Sequence, residues 1–202
     1  MSGSSTRADV VRSILVVVLA TAVLGLVYPA LMVGIGQLGF SNQANGSLIT
    51  YQGRVVGSKL AAQAFTSSAY FHPRPSATDP AYNADGTTFA NLGPNSKQLA
   101  ASVDANLKAV LKLEGPYNPG LTAAQVPVDA VTTSASGIDP DISRAYAELQ
   151  ARRVAAVRRL PLATVQKLID EHVDGRFLEF FGEPGVNVLE LNLALDRELP
   201  RR

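Results

Sequence analysis

The chain has 202 residues, 17% of them charged, and a formal net charge of +1. That balance lacks the basic excess of a nucleic-acid binder. It has no cysteine and only two histidines, His72 and His172, which removes thiolate zinc sites, thiol nucleophiles and histidine-rich metal sites.

The first forty residues carry the strongest signal. From Ser13 to Leu38 there is no Asp, Glu, Lys or Arg. At about 1.5 Å per residue this run reaches roughly 39 Å, enough to cross a hydrocarbon core of about 30 Å with some tilt. A helix satisfies its own backbone in lipid, so residues 13–38 are expected to be a transmembrane helix. Ala20-Thr21-Ala22 has the small-x-small look of a signal-peptide cleavage site, but the apolar run continues well past it. Arg7 and Arg12 precede the run, and the next charge after it is Arg54. The positive-inside rule then keeps residues 1–12 in the cytoplasm and puts residues 39–202 outside as one extracytoplasmic domain. Thr21 with Gly25, and Ala30 with Gly34, place small residues four apart, a spacing that lets helices approach closely in lipid. Pro29 is expected to loosen the helix between the two pairs.

Beyond a polar exit at 39–46, two β-prone runs flank Gln52-Gly53 and predict a hairpin. Lys59 to Phe65 is expected to form one or two helical turns. Residues 66–95 hold four prolines together with Tyr70, Phe71, Tyr82 and Phe89. So long an irregular stretch is either functional or a packed structural loop. Leu99, Val103, Leu107, Val110 and Leu111 recur at helical spacing over 95–113. Val126 to Thr133 reads as a strand. Ser143 is placed to cap a helix running to about Arg159, and Pro161 to open the next one. Leu189, Leu191, Leu193 and Leu195 alternate with other residues, which favours a half-buried strand. The whole is expected to be α+β: one transmembrane helix followed by a single compact mixed helix/strand domain.

No catalytic centre stands out. Ser134 or Ser136 with His72 and Asp139 supplies the residue types of a hydrolase triad, but no strand–GxSxG–helix signature is present. No phosphate-binding loop and no aspartyl-phosphorylation sequence occurs. Arg152, Arg153, Arg158 and Arg159 read either as phosphate donors or, preferably, as a solvated basic helix face. Arg74, between Pro73 and Pro75, is placed for a fixed ion pair or a backbone contact, inside the domain or at an interface. An anchored accessory or interaction domain is favoured over a membrane-anchored hydrolase or ligand-binding module.

Several stretches carry a more specific signal. They include Tyr28-Pro29, Asn45-Gly46-Ser47-Leu48-Ile49, Tyr70-Phe71-His72-Pro73-Arg74-Pro75-Ser76-Ala77 and Asn91-Leu92-Gly93-Pro94. Ser136-Gly137-Ile138-Asp139-Pro140, Arg153-Val154-Ala155 and Val186-Asn187-Val188-Leu189 follow. Through them nearly the whole chain resembles the C subunit of the Kdp-type bacterial potassium-transporting P-type ATPase. The resemblance implies a non-catalytic, single-pass subunit of a four-protein complex in the bacterial inner membrane. Its partners would be a channel-like potassium-binding subunit, the ATP-hydrolysing P-type subunit and a small single-helix subunit. It further implies a catalytic chaperone that raises the pump's ATP affinity, with Gln150, just before Arg-Val-Ala, as the nucleotide contact. No metal ligand and no catalytic residue of its own is implied. Two departures stand out: Ala135 interrupts the family's SGSG, and Asp141 replaces a histidine. An acidic Asp141 would disfavour nearby ATP phosphates. ATP is also cytoplasmic, whereas the charge pattern places the domain outside.

Overall fold

The computed structural model describes residues 6–86 and 91–198. Phe89, counted above among the aromatics of the irregular stretch, lies outside the described residues. The chain divides into two units, residues 1–47 and residues 48–202.

The first unit is a helix over Thr6–Gly39, long and apolar enough to cross a membrane. It comprises α1 (Thr6–Ala22), a π-helical turn (Val23–Val27) and α2 (Tyr28–Gly39). The wide turn falls where Pro29 predicts a disturbance. Pro29 has no N–H to donate one turn back, and the Tyr28 N–H reaches the carbonyl of Val23 instead. No residue of these three segments is buried. A short α3 (Ser41–Ala44) completes the unit.

The second unit starts with the expected hairpin, β1 (Leu48–Tyr51) against β2 (Arg54–Ser58), antiparallel with an irregularity between Ile49 and Thr50. Gln52 and Gly53 both take positive φ at the turn. Residues 59–65 are not helical: Ala62 donates to the Ile138 carbonyl at 2.8 Å, so the chain is tied to a distant loop rather than to its own preceding turn. α4 (Lys97–Glu114) is capped by Ser96, whose hydroxyl accepts from the Leu99 N–H. The strand expected at 126–133 is instead a 3₁₀ turn at Val128–Ala130. Pro127 has no ladder donor, and the β-prone valines around it meet no partner strand. β3 (Asp141–Ile142) leads through the Ser143 cap into α5 (Arg144–Arg158), then α6 (Leu162–Glu171), β4 (Val173–Asp174) and β5 (Gly185–Asn187). β5 lies between β3 and β4, antiparallel to both.

The last element corrects the sequence reading. Leu189 to Leu195 is not a strand but part of a helix, α7 (Val188–Glu198). Val188, Leu189, Leu191, Asn192, Leu193, Ala194 and Leu195 are all buried. A helix enclosed on most sides loses the one-face stripe that marks a surface helix. Its alternating leucines then imitate a strand. The usable signal was Asn187 followed by Glu190: the Asn187 side chain accepts from the Glu190 N–H, capping the helix.

The core lies where α5, α6 and α7 meet β5. Ala147, Ala151 and Ala155 let α5 approach closely. Val165, Leu168 and Ile169 of α6, Leu191 and Leu195 of α7, and Val186 of β5 fill the space. Phe71, from the proline-rich stretch, is fully buried among them.

Candidate functional site

The motif-bearing stretch 68–74 crosses this core outside any strand. Its backbone polar groups therefore need partners from elsewhere. Side chains of α5 and α7 provide them. Asn192 brackets Phe71, accepting from its N–H at 2.8 Å and donating to its carbonyl at 2.9 Å. Gln150 brackets His72 in the same way, at 2.8 and 3.0 Å. Arg153 donates to the carbonyls of Ser68 and Tyr70, to Gln150 and to Glu114. Arg158 donates to the Ala69 carbonyl and to Asp196, with its guanidinium over the Tyr70 ring. The Tyr70 hydroxyl donates to Asp196 at 2.7 Å. An amide side chain has one donor side and one acceptor side, so Asn and Gln mimic a neighbouring strand.

This network places each residue singled out above. Gln150 is wholly buried, and both amide atoms are engaged within the domain. In this conformation it faces the His72 backbone, not solvent. Arg153 and Arg158 are buried, so the reading of a solvated basic face is corrected for these two; Arg152 and Arg159 are exposed. The Arg-Val-Ala motif thus marks an arginine facing inward. Repeated arginines without regular spacing look like a polar face, and only tertiary packing reveals which of them turn in.

Arg74 donates to Asp139 at 2.9 Å and to Thr132 and the Thr133 carbonyl. The fixed ion pair anticipated from its proline flanks is therefore internal. The three hydrolase residue types are not brought together. Asp139 pairs with Arg74, the His72 Nε2 lies against the Ser67 carbonyl, and Ser136 contacts Ser134 and the Ile138 N–H.

The SASG loop is built around its glycine. Gly137 has φ +73°, and a Cβ there would come within 2.8 Å of Thr78. The Ser76 hydroxyl donates to the Gly137 carbonyl. Ala135, where the resemblance expects glycine, is not among the residues with positive φ. Asp141 accepts from Asn187 at 3.0 Å, joining β3 to the start of α7.

Electrostatics follow from burial. Burial raises the Glu114 carboxyl above its usual range, opposed by the Arg153 guanidinium. Burial lowers His72, and the nearby Arg153 lowers it further. Burial also raises Asp141, with the Asn187 hydrogen bond opposing it. Among the described residues, no group of three or more His, Cys, Asp or Glu could hold a metal ion. The arrangement holds a peptide segment through side-chain hydrogen bonds from α5 and α7.

Comparison with known proteins agrees with the motif reading. A family model described as K+-transporting ATPase, c chain, matches residues 10–197. A Mycobacterium tuberculosis protein named Potassium-transporting ATPase KdpC subunit is 44% identical over 191 residues, covering 95% of this chain and 99% of that protein. Proteins of the same name from Herminiimonas arsenicoxydans and Koribacter versatilis are 49% and 41% identical. They cover 88% and 96% of this chain and 91% and 97% of their own lengths. With a match that runs from within its apolar helix, through its clamped motif, into its last helix, the chain belongs to the KdpC family, the c chain of K+-transporting ATPases.

Proposed function

We propose that this chain is a non-catalytic accessory subunit of an ATP-driven potassium importer, anchored by its N-terminal helix in the bacterial inner membrane. The observation that carries this reading is the family match, which runs from the membrane helix into α7. The partners are the P-type subunit, the channel-like potassium-binding subunit and the small single-helix subunit. The domain is extracytoplasmic in this proposal, as the charges before the helix favour.

The catalytic-chaperone role, and ATP as a shared cofactor, belong to the same proposal. Gln150 is buried, with its Oε1 accepting from His72 and Arg153 and its amide donating to the His72 carbonyl, which favours an effect on nucleotide affinity passed through subunit contacts over direct contact with ATP. Direct contact would require the bracket around His72 to open.

One experiment tests anchoring, orientation and assembly together. Ser102→Cys introduces a single thiol into a cysteine-free chain. Labelling it in sealed cells and inverted vesicles, before pulling down the pump subunits, reads sidedness and assembly at once. Labelling from outside, with co-purified ATPase, is expected. Labelling only from the cytoplasmic side overturns the orientation, and a wild-type chain that recovers no pump subunit overturns the accessory role.

A further inference from the structure

The loop between β4 and β5 inverts the usual rule for surfaces. Phe177, Leu178, Phe180 and Phe181 are 72, 62, 66 and 56% exposed. Four large apolar residues within five positions form a patch, not scattered surface residues. The loop is built rather than slack. Phe177 and Phe181 exchange two backbone hydrogen bonds at 2.9 Å, and Arg176 donates to both carboxylate oxygens of Glu183. At the tip, Leu178 and Glu179 hold φ of +52 and +69°, a conformation unfavourable for residues other than glycine. The Phe180 and Phe181 ring centroids lie 4.1 Å apart with the rings tilted by 39°.

Phe177 and Phe181 also form the wall of a hollow whose lining includes Asp139, Asp141, Asp174 and Glu183. Among the described residues, Arg74 is the only cation in that lining; it pairs with Asp139, while Arg176 pairs with Glu183 and Lys59 with Asp174, and Asp129 and Asp141 keep the lining acidic on balance. An acidic surround of this kind is repelled by an anionic bilayer surface. It complements a cationic side chain instead.

We infer that the 177–181 loop and the acidic hollow beside it form the docking face for another subunit of the pump, one presenting a cationic side chain among apolar ones. This rests on the accessory-subunit reading and names the surface that serves it. Phenylalanines anchor protein interfaces when they enter a pocket on the partner. The carboxylates behind them set the register and reject anionic surfaces.

The test uses the full chain co-expressed with the pump subunits. The double variant Phe180→Ser, Phe181→Ser is expected to lower co-purified pump subunits at least tenfold while leaving the chain's thermal unfolding in detergent unchanged. Recovery of the wild-type complex is expected to fall as salt is raised. A fluorophore on Glu179→Cys, with the chain in nanodiscs of anionic lipid, reports the occupant. A blue shift only when the other subunits are added is expected. Quenching by spin-labelled lipid in their absence overturns the protein reading in favour of the bilayer. Wild-type recovery by the double variant overturns the docking face while leaving the accessory role intact. Failure of the wild-type chain itself to assemble overturns that role instead.

Discussion

Two regions of the domain reverse each other. In stretch 68–74, arginines, an asparagine and a glutamine lie in the core around a backbone they hold by hydrogen bonds. In loop 175–184, phenylalanines and a leucine face solvent around a backbone held by its own hydrogen bonds and one ion pair. The comparison separates two uses of unfavourable burial. Polar groups in a core are tolerated when most of them find partners, as here apart from Arg74 Nε and Glu114 Oε2, and they then specify one arrangement. Apolar groups left outside do nothing for the isolated domain, and their gain comes only when something covers them.

The strongest way to break the comparison is at Arg153. Its side chain is 0% exposed and pairs with Glu114 at 2.8 Å. Arg153→Met removes the donor that Glu114 and the Ser68 and Tyr70 carbonyls share. Loss of about 3–5 kcal/mol is expected in chemical denaturation of the intact chain. Adding Glu114→Leu is expected to recover a substantial part of it, because the stranded carboxylate is removed as well. Failure of the second change to help would place the cost in lost packing rather than in charge.

Asn192→Leu is expected to cost roughly 2–4 kcal/mol. It is close in volume but strands both the N–H and the carbonyl of Phe71, each at about 1–3 kcal/mol when buried. The loss would appear as a lower denaturation midpoint with the slope unchanged.

Smaller still is the effect of pH through His72. Its folded pKa lies below the ordinary value because of burial and the neighbouring Arg153. Its contribution is therefore complete above about pH 6.5 and is lost as pH falls from there through the lowered folded pKa. Thermal melts of wild type and His72→Gln are expected to diverge least at neutral pH in slope, with the variant showing the flatter decline as pH falls below about 6.5. Equal slopes in that window would show that His72 does not titrate in the folding equilibrium.

The smallest effect sharpens the contrast from the other side. Phe180→Ser alone is expected to change stability by less than about 0.5 kcal/mol, since an exposed side chain has few contacts to lose. A much larger loss in denaturation would mean that the loop supports the domain rather than facing a partner.

Local chemistry was legible in the sequence wherever one element decides its own form. The uncharged run to Leu38, the Pro29 disturbance, the Gln52-Gly53 turn, and the Ser143 cap with the helix behind it follow from backbone geometry and short-range hydrogen bonds. The family was legible too, because its motifs are specific. Tertiary structure alone decided the rest, beginning with residues 59–65, which are tied to the Ile138 carbonyl instead of forming the expected helical turns. Helix α7 is buried on so many sides that its leucines lost the helical stripe. The valines at 126–131 found no strand to pair with, so β-propensity had nothing to act on. Gln150, Arg153 and Arg158 face inward because a strandless segment, distant in sequence, needs their hydrogen bonds. A polar side chain's partner lies across the fold, and no local pattern records it.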